Sequence, residues 1–351
     1  MAMRARAIGI RFTAAGEETV AHGGDLGVAR RLFPDAPEPF IDLSTGINPW
    51  SYRLGQFSAA AFARLPEQDA LTGIAAAAAK AYGVPSAGHV VVAPGSQILL
   101  PLVASLMPPA RATVVSPTYP GLARAASLAG HDVRTVESIE RAGDAKLVIL
   151  ANPNNPDGRC FTRTALLKHA HDLRRRGGLL VVDEAFMEVA PPGQSLATEL
   201  ACGNIVVLRS FGKFFGLPGL RLGFALAALP LARRLAAVIG PWPVSGLALA
   251  IGTKALSDKA WIECTRKNLA KAAMSLDAIL AEAGLEITGG TDLFRLVRSE
   301  AAPALFEHLG RAGIYARTFP DNRTWLRFGL PALASARKRL KEALVSFRPT
   351  K

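Results

Sequence analysis

Cysteine is scarce: three occur in 351 residues, Cys160, Cys202 and Cys264, with no CxxC pair. That spacing excludes a disulfide framework and argues against a structural zinc site, so no metal is expected. Aromatic residues make up only 7% of the chain, and no zinc-finger, helix-turn-helix or RNA-recognition pattern stands out. Nucleic acid is therefore not an expected partner. No apolar run approaches the ~18 residues of a membrane span. The basic start, MAMRARAIGIRF, also lacks an apolar segment of signal-peptide length. A soluble protein of a reducing cytoplasm, with no membrane partner, is the expectation. Acidic residues are few as well, 28 against 41 Lys and Arg, which leaves a net charge of +13. That balance favours anionic partners, phosphorylated metabolites among them.

Half the residues are hydrophobic, enough for a large core. From residue 89 to 210, short β-branched runs alternate with helix-like stretches. The runs are His89–Ala93, Ala112–Val115, Asp132–Val136, Lys146–Leu150, Leu179–Val182 and Asn204–Leu208. Most are apolar throughout and end on polar residues, the pattern of a mostly parallel sheet covered on both faces. Ligands of such sheets lie beyond the carboxyl ends of the strands. The chemistry is thus expected at Gly95–Gln97, Asn152–Asn155, Asp183–Phe186 and Ser210–Lys213. Further on, helices are expected at 229–239, about 257–284, 303–312 and 334–347, with strands at Leu293–Val297 and Trp325–Phe328. These make a smaller α+β domain. The expected division is an N-terminal segment (1–45) packing with the small domain, a large domain (46–241) and the small domain (242–351).

Lys213 lies in the glycine-punctuated, apolar stretch SFGKFFGLPGLRLGF. Partial desolvation there lowers the pKa of an amine and frees it to attack an aldehyde. Ser210 and Arg221 offer a hydroxyl and a fixed cation to a phosphate. Asp183, at the end of an apolar strand, needs a cationic partner if it is to stay ionised, and a protonated pyridine nitrogen would serve. Asn155 can donate to a phenolate oxygen. Gly95-Ser96-Gln97 can present backbone N–H groups to a dianion at a helix start, and Tyr119 can stack on a flat ring. Each residue has a plain alternative as a cap, turn or core group; their succession at strand ends is what those alternatives leave unexplained.

The segments PGSQ, SPTY, NPNNPDG, VVDEAF and SFGKFFGLPGLRLGF resemble the motif series of the fold-type I, aspartate-aminotransferase-like pyridoxal-phosphate enzymes, across roughly residues 40–330. The resemblance implies an α/β fold with a large, mostly parallel sheet domain and a smaller α+β domain, pyridoxal 5′-phosphate as cofactor, and a homodimer. It further implies that Lys213 bonds the cofactor's aldehyde and that Asp183 pairs with its ring nitrogen. Asn155 would meet the ring oxygen, Tyr119 would stack, and Gly95, Ser96, Gln97, Ser210 and Arg221 would surround the phosphate.

Two groups within the family compete, the histidinol-phosphate aminotransferases and the threonine-phosphate decarboxylases of cobalamin biosynthesis. The segments AHGGD (21–25), DLSTGINP (42–49) and PWPVS (241–245) are similar to elements of the decarboxylases. So is Phe186, at a position where the aminotransferases usually carry a tyrosine. By resemblance Arg327 would clamp a substrate carboxylate, His22 and Arg317 would approach the phosphate of a phosphorylated amino acid, and Asn48 would also contact the substrate. Decarboxylation of L-threonine O-3-phosphate is the leading expectation, with histidinol-phosphate transamination as the alternative. Leu65 and Gly212 depart from the family pattern, which would shift cofactor binding onto Arg221 and the backbone.

Overall fold

The computed structural model describes residues 11–12, 18–19, 22–57 and 59–348. Ala21 of the first decarboxylase-like element, and most of residues 1–21, lie outside them. The chain forms two compact units, one of residues 50–267 and one joining residues 1–49 to 268–351. The sequence put the corresponding cuts near 45 and 241. The N-terminal part of the smaller unit holds an antiparallel pair, β1 (Arg11–Phe12) and β2 (Glu18–Thr19). Helix α1 (Leu26–Leu32) follows, capped by the Asp25 carboxylate, which accepts from the N–H groups of Gly27 and Val28. Strand β3 (Ile41–Asp42) completes this part.

The larger unit opens with α2 (Ala60–Ala63) and the alanine-rich α3 (Gln68–Tyr82), which stops at Gly83 in the left-handed conformation. Its centre is a seven-stranded sheet of β4 (Val90–Ala93), β5 (Arg111–Val115), β6 (Asp132–Val136), β7 (Leu147–Ala151), β8 (Leu179–Asp183), β9 (Ile205–Ser210) and β10 (Gly223–Ala227). The order across the sheet is β4-β10-β9-β8-β7-β5-β6. The other six strands run in one direction and β10 runs against them. Helices α4 (Ser96–Ala104), α5 (Gly121–Leu128), α6 (Arg163–Arg175), α7 (Phe211–Phe214) and α8 (Leu229–Ile239) connect or flank these strands. The expected mostly parallel sheet is present. Strand β10 was not anticipated, because Gly223–Ala227 has no β-branched residue to announce it.

Helix α9 (Gly246–Ser257) was also missed. It is apolar nearly all round, so it shows no helical period. It packs on α3, and a Cβ at Gly252 would stand 2.6 Å from both Ile74 Cδ1 and Leu222 Cδ2. That close contact is why residues 242–267 belong to the larger unit. Asp258 ends α9, and α10 (Lys259–Glu282) begins directly after it; its residues from 268 onward belong to the smaller unit.

The smaller unit continues with β11 (Glu286–Thr291), β12 (Phe294–Arg298), α11 (Ala302–Arg311), β13 (Ile314–Tyr315), β14 (Arg317–Thr318), β15 (Trp325–Gly329) and α12 (Ala334–Ser346). Four of the strands make an antiparallel sheet in the order β11-β12-β15-β14. The N-terminal segment joins this unit through β3, which pairs in parallel with β13. Among the described residues no helix is long and apolar enough to cross a membrane.

Candidate active site

In the larger unit, the segments singled out by sequence all follow the carboxyl ends of parallel strands. Gly95 follows β4 with φ +92°, and α4 starts at Ser96 without a side-chain cap. A Cβ on Gly95 would stand 2.6 Å from Arg221 Nη2, and one on Gly223 would stand 2.4 Å from Ser96 N. Two glycines are therefore needed where a guanidinium meets the first turn of a helix, a cradle for a dianion. Arg221 itself takes a left-handed conformation at φ +50°, and its Nη1 donates to Pro218 O at 3.1 Å. A non-glycine residue held there marks a constrained site.

Tyr119, after β5, donates its hydroxyl to Gln97 Oε1 at 2.9 Å. The ring folds back over Gly121, where a Cβ would lie 2.2 Å from Tyr119 Cε1. Beyond β7 the three asparagines divide their work. Asn152 accepts from Phe161 N and donates to Phe161 O. Asn154 donates to Pro117 O and Asp157 Oδ1 and accepts from Thr118 Oγ1 at 2.7 Å. Both are buried, whereas Asn155 is partly open. The Thr118–Asn154 bond ties the Tyr119 loop to the loop that carries Asn155, a link the sequence did not disclose.

Asp183 ends β8, and its carboxylate accepts from Ala185 N at 3.1 Å. Burial pushes its pKa up to about 6, against the opposing pull of that N–H and of the nearby Lys213 charge. Lys213, half-buried in the single-turn α7, places Nζ 5.9 Å from the centre of the buried Phe186 ring. Ser210 stands just before α7 and makes no side-chain capping bond to it. Phe211, Phe214 and Phe215 are all buried around the lysine. Phe215 stacks between Phe211 (4.3 Å between ring centres) and Trp261 (5.6 Å). Tyr52 donates to Asp258 Oδ2 and meets Trp261 edge-on, while its N–H donates to Phe215 O at 2.9 Å. Gly212 has a packing reason: a Cβ there would come 2.8 Å from Pro218 Cα.

These residues fit pyridoxal 5′-phosphate. A desolvated carboxylate that wants a cation, an amine within its electrostatic reach and a glycine-lined guanidinium beside a helix start match a ring nitrogen, an aldehyde and a phosphate. Beneath them lies a buried ion cluster not foreseen from sequence. Arg209 bonds Glu184 Oε2 and Glu188 Oε1, each at 3.1 Å, and its guanidinium lies over the Tyr82 ring. Glu184 also accepts from Ser195 Oγ and Leu196 N. The acidic pair Asp183-Glu184 is thus split, one residue for the site and one for its foundation.

In the smaller unit, Arg317 and Arg327 face each other in register across β14 and β15. Arg327 is buried, donates Nη2 to Ser44 O at 2.9 Å and lies 5.0 Å over the Phe294 ring. Burial, then the Arg317 charge, lower its pKa to about 9, and Asp42 opposes the shift. It remains a cation at neutral pH. His22 is exposed just ahead of α1, and Asn48 is buried. Among the described residues no three His, Cys, Asp or Glu side chains gather as a metal site.

The chain is 40% identical over 333 residues to a threonine-phosphate decarboxylase of Pseudomonas aeruginosa, covering 93% of this chain and 98% of that protein. It is 39% identical to a threonine-phosphate decarboxylase of a Sinorhizobium species, covering 93% and 97%. A histidinol-phosphate aminotransferase of Sinorhizobium meliloti, solved in complex with pyridoxal 5′-phosphate, shares the fold with a TM-score of 0.76 at 20% identity, over 97% of this chain and 99% of that one. Residues 56–345 match the family described as aminotransferase class I and II. With that family matched over most of the chain and a relative 40% identical along 93% of it, the chain belongs to the class I and II aminotransferase family.

Proposed function

We propose that this protein is a cytoplasmic, pyridoxal-phosphate-dependent carboxy-lyase that converts L-threonine O-3-phosphate and releases CO2 and (R)-1-amino-2-propanol O-2-phosphate, a step of cobalamin biosynthesis. The likeness to threonine-phosphate decarboxylases along nearly the whole chain carries this reading. The residues supply a reason for the substrate's charge: Arg317 and Arg327 stand opposite one another, suited to a ligand bearing both a carboxylate and a phosphate.

Lys213 Nζ would anchor the cofactor, Asp183 would keep a proton at its ring nitrogen, and Asn155 would bind the ring oxygen. Tyr119, steadied by Gln97, would cover one ring face, with Phe186 beside Lys213. The first turn of α4, Gly95, Ser96, Ser210 and Arg221 would hold the phosphate. When bound, the cofactor supplies an electron sink for the pair released as the Cα–carboxylate bond breaks. Arg327 would grip the substrate carboxylate in a bidentate fork, Arg317 and His22 would take the phosphate, and Asn48 would contact the substrate beside them. Lys213 Nζ, or a water, would supply the proton that takes the place of the lost carboxylate at Cα. Phe186 brings no hydroxyl close to Lys213, which favours this reading over transamination.

A homodimer is part of the proposal. Trp50, Leu54, Phe62 and Leu65 are 38%, 60%, 71% and 65% exposed between residues 50 and 65, large apolar side chains that a second copy would cover.

Incubation with L-threonine O-3-phosphate should release CO2 without glutamate formation; glutamate from histidinol phosphate and 2-oxoglutarate, with no CO2 from the first substrate, would overturn the reading. Lys213→Ala should abolish the borohydride-bleachable visible absorption.

A further inference from the structure

In the smaller unit one buried serine gathers two motif segments. Ser44 is 0% exposed. Its carbonyl accepts Arg327 Nη2 at 2.9 Å, and its hydroxyl accepts the N–H of Gly24 at 2.7 Å. That hydroxyl donates in turn to Asp42 Oδ1 at 2.6 Å, and the Ser44 N–H reaches the same oxygen at 2.8 Å. There is no slack around the turn. A Cβ on Gly23 would stand 2.4 Å from Ser44 O, and one on Gly329 would stand 2.3 Å from Thr45 O. Gly329, two residues beyond Arg327, also donates its N–H to Leu43 O at 2.7 Å. Residues 43–45 are thus clamped between the glycine pair that follows His22 and the strand that carries Arg327.

We propose that Asp42 and Ser44 are positioning residues for anion recognition, their turn setting the Arg327 guanidinium for a carboxylate and, through Gly24, the His22 segment for a phosphate. The inference rests on the proposed function for what Arg327 and His22 bind. A bidentate fork works only when its plane is fixed, and the bond from Nη2 to a carbonyl held by its own turn restricts that plane. The hydroxyl is used as donor and acceptor at once, so removing it loosens Gly24 and leaves the Ser44 carbonyl in place. Removing the Asp42 carboxylate frees the whole turn. The two residues therefore have separable effects.

The test is calorimetric titration of the cofactor-loaded full chain with two probes. O-Phosphoethanolamine carries an amine and a phosphate but no carboxylate; L-2-aminobutyrate carries an amine and a carboxylate but no phosphate. Ser44→Ala should weaken O-phosphoethanolamine roughly three- to tenfold, the range expected for one lost hydrogen bond, and leave aminobutyrate within about twofold. Asp42→Ala should weaken both probes by that range. Asp42→Asn, which keeps an oxygen acceptor facing Ser44, should restore most of both. Unchanged phosphoethanolamine binding in Ser44→Ala overturns the proposal, as does unchanged aminobutyrate binding in Asp42→Ala. If Asp42→Ala does not fold, Ser44→Ala decides alone. Absence of CO2 release by the unaltered protein would count against the reading of function, while the dissociation constants still judge Asp42 and Ser44.

Discussion

Asp183 is a carboxylate placed where water cannot easily stabilise its charge, and its pKa rises to about 6. A raised acid favours the folded state most when protonated, so its contribution is complete below about pH 4 and is lost as the pH climbs through about 6. The cofactor-free Asp183→Asn variant should therefore gain on the unaltered protein between pH 4 and pH 7, by on the order of 2 kcal/mol after allowing for partial exposure. Denaturant unfolding at both pH values measures this, and a pH-independent difference would contradict it. The same variant should bind pyridoxal phosphate more weakly, because the ring nitrogen loses its counter-charge. The placement of Lys213, Asp183 and Asn155 just at or beyond strand ends was readable in the sequence, because each apolar run stops beside them. Their supports were not. Thr118, Gln97 and Ser44 act through bonds to residues 36, 22 and 283 positions away, and no local pattern records such pairings.

The strands of the larger unit were legible for a simple reason: β7, β8 and β9 are mostly apolar on both faces, β8 and β9 end on polar residues, and Asn152 follows β7 directly. Short β10 and all-round apolar α9 carry no period, so only tertiary packing reveals them. The ion cluster between β8 and β9 shows how two elements are locked. Arg209 on β9 bonds Glu184 and Glu188 with all three side chains buried. Burial raises both carboxyl pKa values, with Arg209 the main opposing influence. Arg209→Met would leave two neighbouring acids in the interior without their cation. We expect a loss of about 3–5 kcal/mol in unfolding free energy, read by urea titration. A change below about 1 kcal/mol would mean that the cluster does not hold the strands, since breaking a buried pair normally costs several times that.

At the scale of the whole molecule, the net charge of +13 acts on approach rather than on chemistry. For a substrate with a phosphate and a carboxylate, KM should rise several-fold between low salt and about 0.3 M salt while kcat stays within about twofold. Steady-state kinetics at several ionic strengths provides the check, and a KM indifferent to salt would remove the role given to the charge. Phe62→Asp with Leu65→Asp should likewise shift sedimentation from dimer to monomer; a dimer that survives both changes uses another face. Strands β9 and β10 are antiparallel neighbours with Ser210 opposite Gly223, so the segment between them is a closed loop bearing Lys213 near one end and Arg221 near the other. The spacing between amine and guanidinium is then a ruler cut once, by the length of a single hairpin. An insertion or deletion between residues 213 and 221 would reset the separation of that amine and that guanidinium, whatever changes elsewhere in the chain.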